Sequence, residues 1–135
     1  MSLNRVSLLG HVGKAPQFYE TAEGEAYARF SLATQESWKD AQGQKQTRTQ
    51  WHSVVVFSQG LVEIARKHMN KGAYVFLEGM LHHRKVLTDD GREYPVTEVL
   101  LKDYQSLLRI LNRGKEASAL SFRQEEDADQ PGESR

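Results

Sequence analysis

The chain has 135 residues, which suits one domain, with 39% hydrophobic and 27% charged residues. No apolar run approaches the roughly 20 residues of a membrane-spanning helix, and the absence of cysteine excludes a disulfide framework, a thiolate zinc site and a cysteine nucleophile. The net charge of zero is unevenly spread: residues 1–115 carry 16 Lys and Arg against 12 Asp and Glu, and residues 116–135 carry 2 against 6. A mildly basic body with an acidic tail fits a polyanion-binding domain with an appendage, and equally an ordinary domain with a solubilising tail. The opening MSLNRVSLLGHVG lacks the apolar core and cleavage site of a signal peptide.

Residues 3–12 read as a first strand, after which Gly10, Gly13 and Pro16 bend the chain. Over 26–36, Ala28, Phe30 and Leu32 alternate with Arg29, Ser31 and Gln35, the pattern of a half-buried strand. Residues 37–47 are polar with one glycine and read as a loop holding Trp38. The stretch TQWHSVVVF follows at 49–57. Alternation puts His52, Val54 and Val56 on one face, the expected core side, and Trp51, Ser53, Val55 and Phe57 on the other.

A helix is expected over about 59–70, where Leu61, Ile64, Ala65, His68 and Met69 share one face. Ser58 is placed to cap its start and Gly72 to stop it. A long strand over 73–87 holds Gly79 at a bend or bulge. Asp89, Asp90 and Gly91 signal a hairpin turn, and strands return over 92–101 and 105–111. From Asn112 onward the polar, acidic composition reads as a flexible tail. Three strands, one helix and then further strands is the layout of an OB-fold, a five-stranded Greek-key barrel with its helix between the third and fourth strands. A ferredoxin-like arrangement needs a second helix that the pattern lacks.

Catalytic chemistry finds little footing. His82 and His83 are neighbours on a strand and point to opposite faces, a poor geometry for one metal. No HExxH, CxxC or phosphate-binding loop occurs, and Asp89–Asp90 is simplest as a turn. Neither an enzyme nor a metal or other cofactor is expected. The aromatics are more informative: Trp38, Trp51 and Phe57 stand near Lys39, Lys45, Arg48, Lys71, Arg84 and Lys85 in sequence. Unpaired bases stack on aromatic rings while cations follow the phosphates. The same rings could instead pack beneath the helix or loop, and spacing alone leaves the two accounts even.

The segments SLNRVSLLGHVGKAP (2–16), FSLATQESWKD (30–40), TQWHSVVVF (49–57), KGAYVFLEGML (71–81) and TEVLL (97–101) together resemble the bacterial and mitochondrial single-stranded DNA-binding protein family. Each is weak alone; five in order over roughly residues 2–111 are specific. The resemblance implies an OB-fold domain over 1–111 with an extended β-hairpin, followed by a tail over 112–135. It implies a homotetramer that binds single-stranded DNA without sequence preference, in the cytoplasm at the nucleoid, in replication, recombination and repair. It also implies roles for particular residues: base stacking for Trp38, Trp51 and Phe57, backbone contacts for Arg5, Lys71, Arg84 and Lys85, and a subunit interface at His52. Three departures stand out. Val86 occupies a position where many members carry another stacking Trp, Ser53 replaces a common Arg, and the acidic tail lacks the apolar terminal anchor that docks replication and repair proteins. An alternative is a primosome-type OB module with reduced DNA binding.

Overall fold

The computed structural model describes residues 1–102 and 105–115. The tail expected over 112–135 therefore lies, from residue 116 onward, outside the described residues. Seven strands and one helix follow in the order β1 (Val6–Val12), β2 (Gln17–Glu20), β3 (Ala26–Lys39), β4 (Lys45–Val56), α1 (Gln59–His68), β5 (Tyr74–Leu87), β6 (Glu93–Leu101) and β7 (Leu107–Asn112). β1, β3, β4, β6 and β5 pair in that order, and β5 returns to β1, closing a five-stranded barrel. The β4–β6 pairing is parallel, so the chain crosses the barrel between them instead of turning back on itself. β2 lies against β3, and β7 lies against the first part of β5. The OB-fold expectation holds. The short β2, hidden in a stretch without clear alternation, was not anticipated and places four strands before the helix.

The core follows from alternation. Ala28, Phe30 and Leu32 from β3, Val54 and Val56 from β4, Val75 and Leu77 from β5, and Val99 and Leu101 from β6 fill the barrel. The helix closes one end with Val62, Ala65 and Met69 fully buried and Leu61 and Ile64 half-buried. Two expectations about the helix need correction. His68 is exposed, and Val62 takes the central place in the buried face. The apolar stripe is wide enough that the barrel mouth, not the spacing, decides its rotation. Ser58 occupies the cap position without a side-chain cap bond, and the helix ends at Met69. Gly72 lies beyond it in a left-handed turn, φ 81°.

Gly79 marks the bend expected in the long strand. It is the last β5 residue paired with β1, and the next residue, Met80, opens the pairing with β6. A Cβ there would stand 2.5 Å from the carbonyl oxygen of Leu100, so the close approach of β6 requires glycine.

Two hairpins run on past the barrel. β5 and β6 remain paired out to Leu87 and Glu93, joined by the turn expected at Asp89–Gly91. β3 and β4 remain paired to Lys39 and Lys45. This second arm replaces the loop expected over 37–47, and Trp38 sits on a strand opposite Gln46. Alternation fails to signal the arm because its faces do not contribute to the core, leaving no apolar face to repeat. Its tip is ordered by Asp40, whose carboxylate accepts hydrogen bonds from the backbone N–H groups of Gln44 and Gln42 and from the Gln46 side chain. The Gln44 bond leads in holding that carboxyl below its usual range.

Candidate nucleic-acid interface

β4 carries the aromatic residues on the side expected. Val54 and Val56 point into the barrel, so Trp51, Ser53 and Val55 point out, and Phe57 continues that side beyond the strand end. Trp51 and Phe57 are thus separated by roughly 20 Å of strand on one surface. Val55 departs from the simple picture. It is buried although it faces outward, as is its register partner Leu100. A thin apolar layer therefore exists outside the barrel, between the two aromatic residues.

Trp51 is half-buried and lies over Gly13: a Cβ at residue 13 would stand 2.9 Å from its ring. Gly10, Gly13, Ala33, Trp51 and Tyr74 share the lining of one broad open groove. Phe57 is 37% exposed and stacks on Tyr27 at 4.9 Å between ring centres. Tyr27 in turn stacks on Tyr19, its register partner on β2, at 5.3 Å. Phe57, Tyr27 and Tyr19 form a three-ring ladder. Sequence reasoning missed the two tyrosines. Tyr27 shares the outward face of Arg29, a usable signal, but Tyr19 depends on a strand that was not legible.

Beside this ladder is a charged cluster. Glu98 is 3% exposed and turned outward from β6, since its neighbour Val99 points into the barrel. Arg29 Nη1 donates to its Oε2 at 2.6 Å, while Arg84 donates from Nε to Oε1 at 3.1 Å and from Nη2 to Oε2 at 3.0 Å. Burial opposes the charge on Glu98, but the hydrogen bonds from Arg84 and Arg29 outweigh it and hold the carboxyl below its ordinary value. The bond to Glu98 likewise raises Arg84. Two cations share one anion, leaving the cluster with a surplus positive charge.

The remaining expected residues are scattered. Trp38 is 42% exposed with the Arg48 guanidinium 5.4 Å from its ring centre. The unbroken β3–β4 register puts Trp38 on the opposite side of the sheet from Trp51. His52 also lies on that side, where its Nε2 meets the Thr34 hydroxyl at 2.8 Å and burial lowers its affinity for protons. Arg84 and Lys85, adjacent on β5, point to opposite sides, and Lys85 lies 3.9 Å from Glu93. Arg5 is exposed before β1 and pairs with Glu78 at 3.4 Å. Lys71 is half-buried in the turn after the helix. Trp51, Phe57 and Arg84 thus share a surface with Tyr27 and Arg29, whereas Trp38, His52 and Lys85 face away from it.

A family model described as "Single-strand binding protein family" matches residues 3–107. The chain belongs to that family. A single-stranded DNA-binding protein of Rickettsia typhi is 43% identical over 112 residues, covering 82% of this chain and 74% of the relative. Its counterpart from Rhizobium meliloti is 38% identical over 117 residues, 85% of this chain and 67% of the relative. Among solved structures, a Plasmodium falciparum single-strand binding protein in complex with single-stranded DNA superposes with a TM-score of 0.76 at 35% identity, covering 83% of this chain and 97% of that one. The matched span of this family member reaches from before β1 into the start of β7 and takes in both hairpin arms.

Proposed function

We propose that this chain is a non-enzymatic protein that binds single-stranded DNA without sequence preference, coating and protecting it during replication, recombination and repair in the cytoplasm. The observation that carries this reading is the pairing of Trp51 and Phe57 on one outward face of β4 with a cation cluster beside them, in a member of the single-strand binding protein family. Every base presents a π face, so stacking on these rings tolerates any sequence, and guanidiniums follow the phosphates. Duplex DNA, whose bases stack on each other, offers the rings nothing.

The reading extends to Trp38, Arg5, Lys71 and Lys85 as further contacts on a strand that passes over more than one side of the protein. A homotetramer supports such a path, because residues on opposite sides of one protomer come onto a common route when copies associate. His52 is the proposed contact between copies.

Titration with poly-dT while following tryptophan fluorescence tests the function. Strong quenching on poly-dT and little on duplex is the expected result. Quenching by neither strand would replace this reading with a protein-interaction module, and equal affinity for both would reduce it to polyanion attraction.

A further inference from the structure

The Arg29–Arg84 pair calls for an explanation beyond stability. An anion so thoroughly buried needs partners, and one bidentate arginine already satisfies Glu98 through both oxygens. The second arginine is therefore surplus to charge balance. The two guanidiniums meet at the same oxygen, Oε2, at 2.6 and 3.0 Å, so they are held side by side in spite of their repulsion. Each keeps a partly exposed side chain, 33% for Arg29 and 38% for Arg84. Arg29 also stands 6.0 Å from the centre of the Tyr27 ring, which stacks on Phe57.

We propose that Arg29 and Arg84, positioned by Glu98, form a phosphodiester seat next to the Tyr27–Phe57 stack, so that one nucleotide places its phosphate on the guanidiniums and its base against the ladder. This rests on the single-stranded DNA reading above and assigns Arg29 and Tyr27 a part in it, with Glu98 as a positioning residue. A guanidinium carries five donors in a planar fork. The edge turned to Glu98 uses some of them, and those remaining suit the oxygens of a phosphate. The carboxylate fixes both arginine side chains before the strand arrives, which lowers the ordering cost of binding.

The test compares salt dependence. Neutralising one phosphate of a single strand contributes about −0.7 to the slope of log affinity against log salt. Arg29→Gln leaves Glu98 satisfied by Arg84 and should make the slope for poly-dT shallower by about 0.7, with tryptophan quenching retained. Lys67→Gln, a loss of the same charge on the exposed side of the helix, should leave the slope unchanged. A slope unaltered by Arg29→Gln, or altered equally by Lys67→Gln, overturns the seat while leaving the DNA-binding function intact. Absence of quenching in the parent protein overturns both. The second measurement needs no variant. Phenylglyoxal modification of arginines, read by mass spectrometry, should be blocked at Arg29 and Arg84 by a dT oligomer and not at Arg109 on β7. Equal modification of Arg29 with and without the oligomer refutes the proposal.

Discussion

Trp51 lies so closely over Gly13 that a methyl group at residue 13 would stand 2.9 Å from the indole. The glycine is thus part of the groove in which the ring rests, and the position of the proposed base platform depends on a residue with no side chain. Gly13→Ala should displace the ring while the barrel persists. Poly-dT affinity should fall, by less than the about 1–3 kcal/mol that alanine substitution of a base-stacking residue costs in proteins of this kind. A shift in tryptophan emission with unchanged far-ultraviolet circular dichroism would register the displacement.

Trp38 should separate binding from stability. It is exposed on the arm, away from the core, and touched by Arg48. Trp38→Ala should leave the unfolding free energy within about 0.5 kcal/mol of the parent, as surface substitutions usually do, while weakening poly-dT binding. Thermal denaturation alongside the titration checks both halves.

Gly79→Ala should do the reverse. The added methyl would meet the Leu100 carbonyl at 2.5 Å, at the point where β5 passes from β1 to β6. Overpacking of this sort costs typically about 1–3 kcal/mol. Urea denaturation should show a lower midpoint, with binding normal for the protein that remains folded.

Two groups give opposite ends of the pH profile. Burial keeps His52 below its ordinary value of 6.5, so the unfolded chain takes up a proton where the folded chain does not. Its contribution is complete above about 6.5 and is lost as pH falls through the range beneath. Glu98 is held below its ordinary 4.5, because the bonds from Arg84 and Arg29 outweigh burial. Its contribution is present above that value and disappears as pH falls through the lower folded one. Denaturation curves from pH 8 to 3 should therefore show two declines, with His52→Gln removing the upper and Glu98→Gln reducing the lower, to which the hydrogen-bonded carboxylates of Asp40 and Asp90 also contribute. Glu98→Gln should also destabilise the protein at pH 7 by about 1–3 kcal/mol, less than a fully buried pair, because both arginines keep solvent contact.

His52 also bears on assembly. It is half-buried and hydrogen-bonded to Thr34 on the side of the sheet away from Trp51. His52→Tyr should crowd the proposed contact between copies and shift a tetramer toward smaller species in a concentration-dependent way. Light scattering across a dilution series measures this, and a monomeric parent would refute the assembly.

Much of the barrel was legible because its chemistry is periodic. Ala28, Phe30 and Leu32 repeat every second residue, Val54 and Val56 do the same, and Asp89–Gly91 has the composition of a turn. Those local rules also placed Trp51 and Phe57 on one face and His52 on the other, since parity along a strand does not depend on what surrounds it. Parity is silent about everything that requires a second strand. The polar arm around Trp38 has no apolar face to reveal it, so only the β3–β4 register shows that Trp38 is on a strand and turned away from Trp51. The helix stripe was visible, but its rotation, with Val62 inward and His68 outward, is set by the barrel end it closes. The meeting of Arg29, Arg84 and Glu98 joins residues up to 69 positions apart in the chain. No local pattern encodes such a contact; it exists because closing the barrel brings three outward-facing strands to one surface, where a buried carboxylate must find its cations.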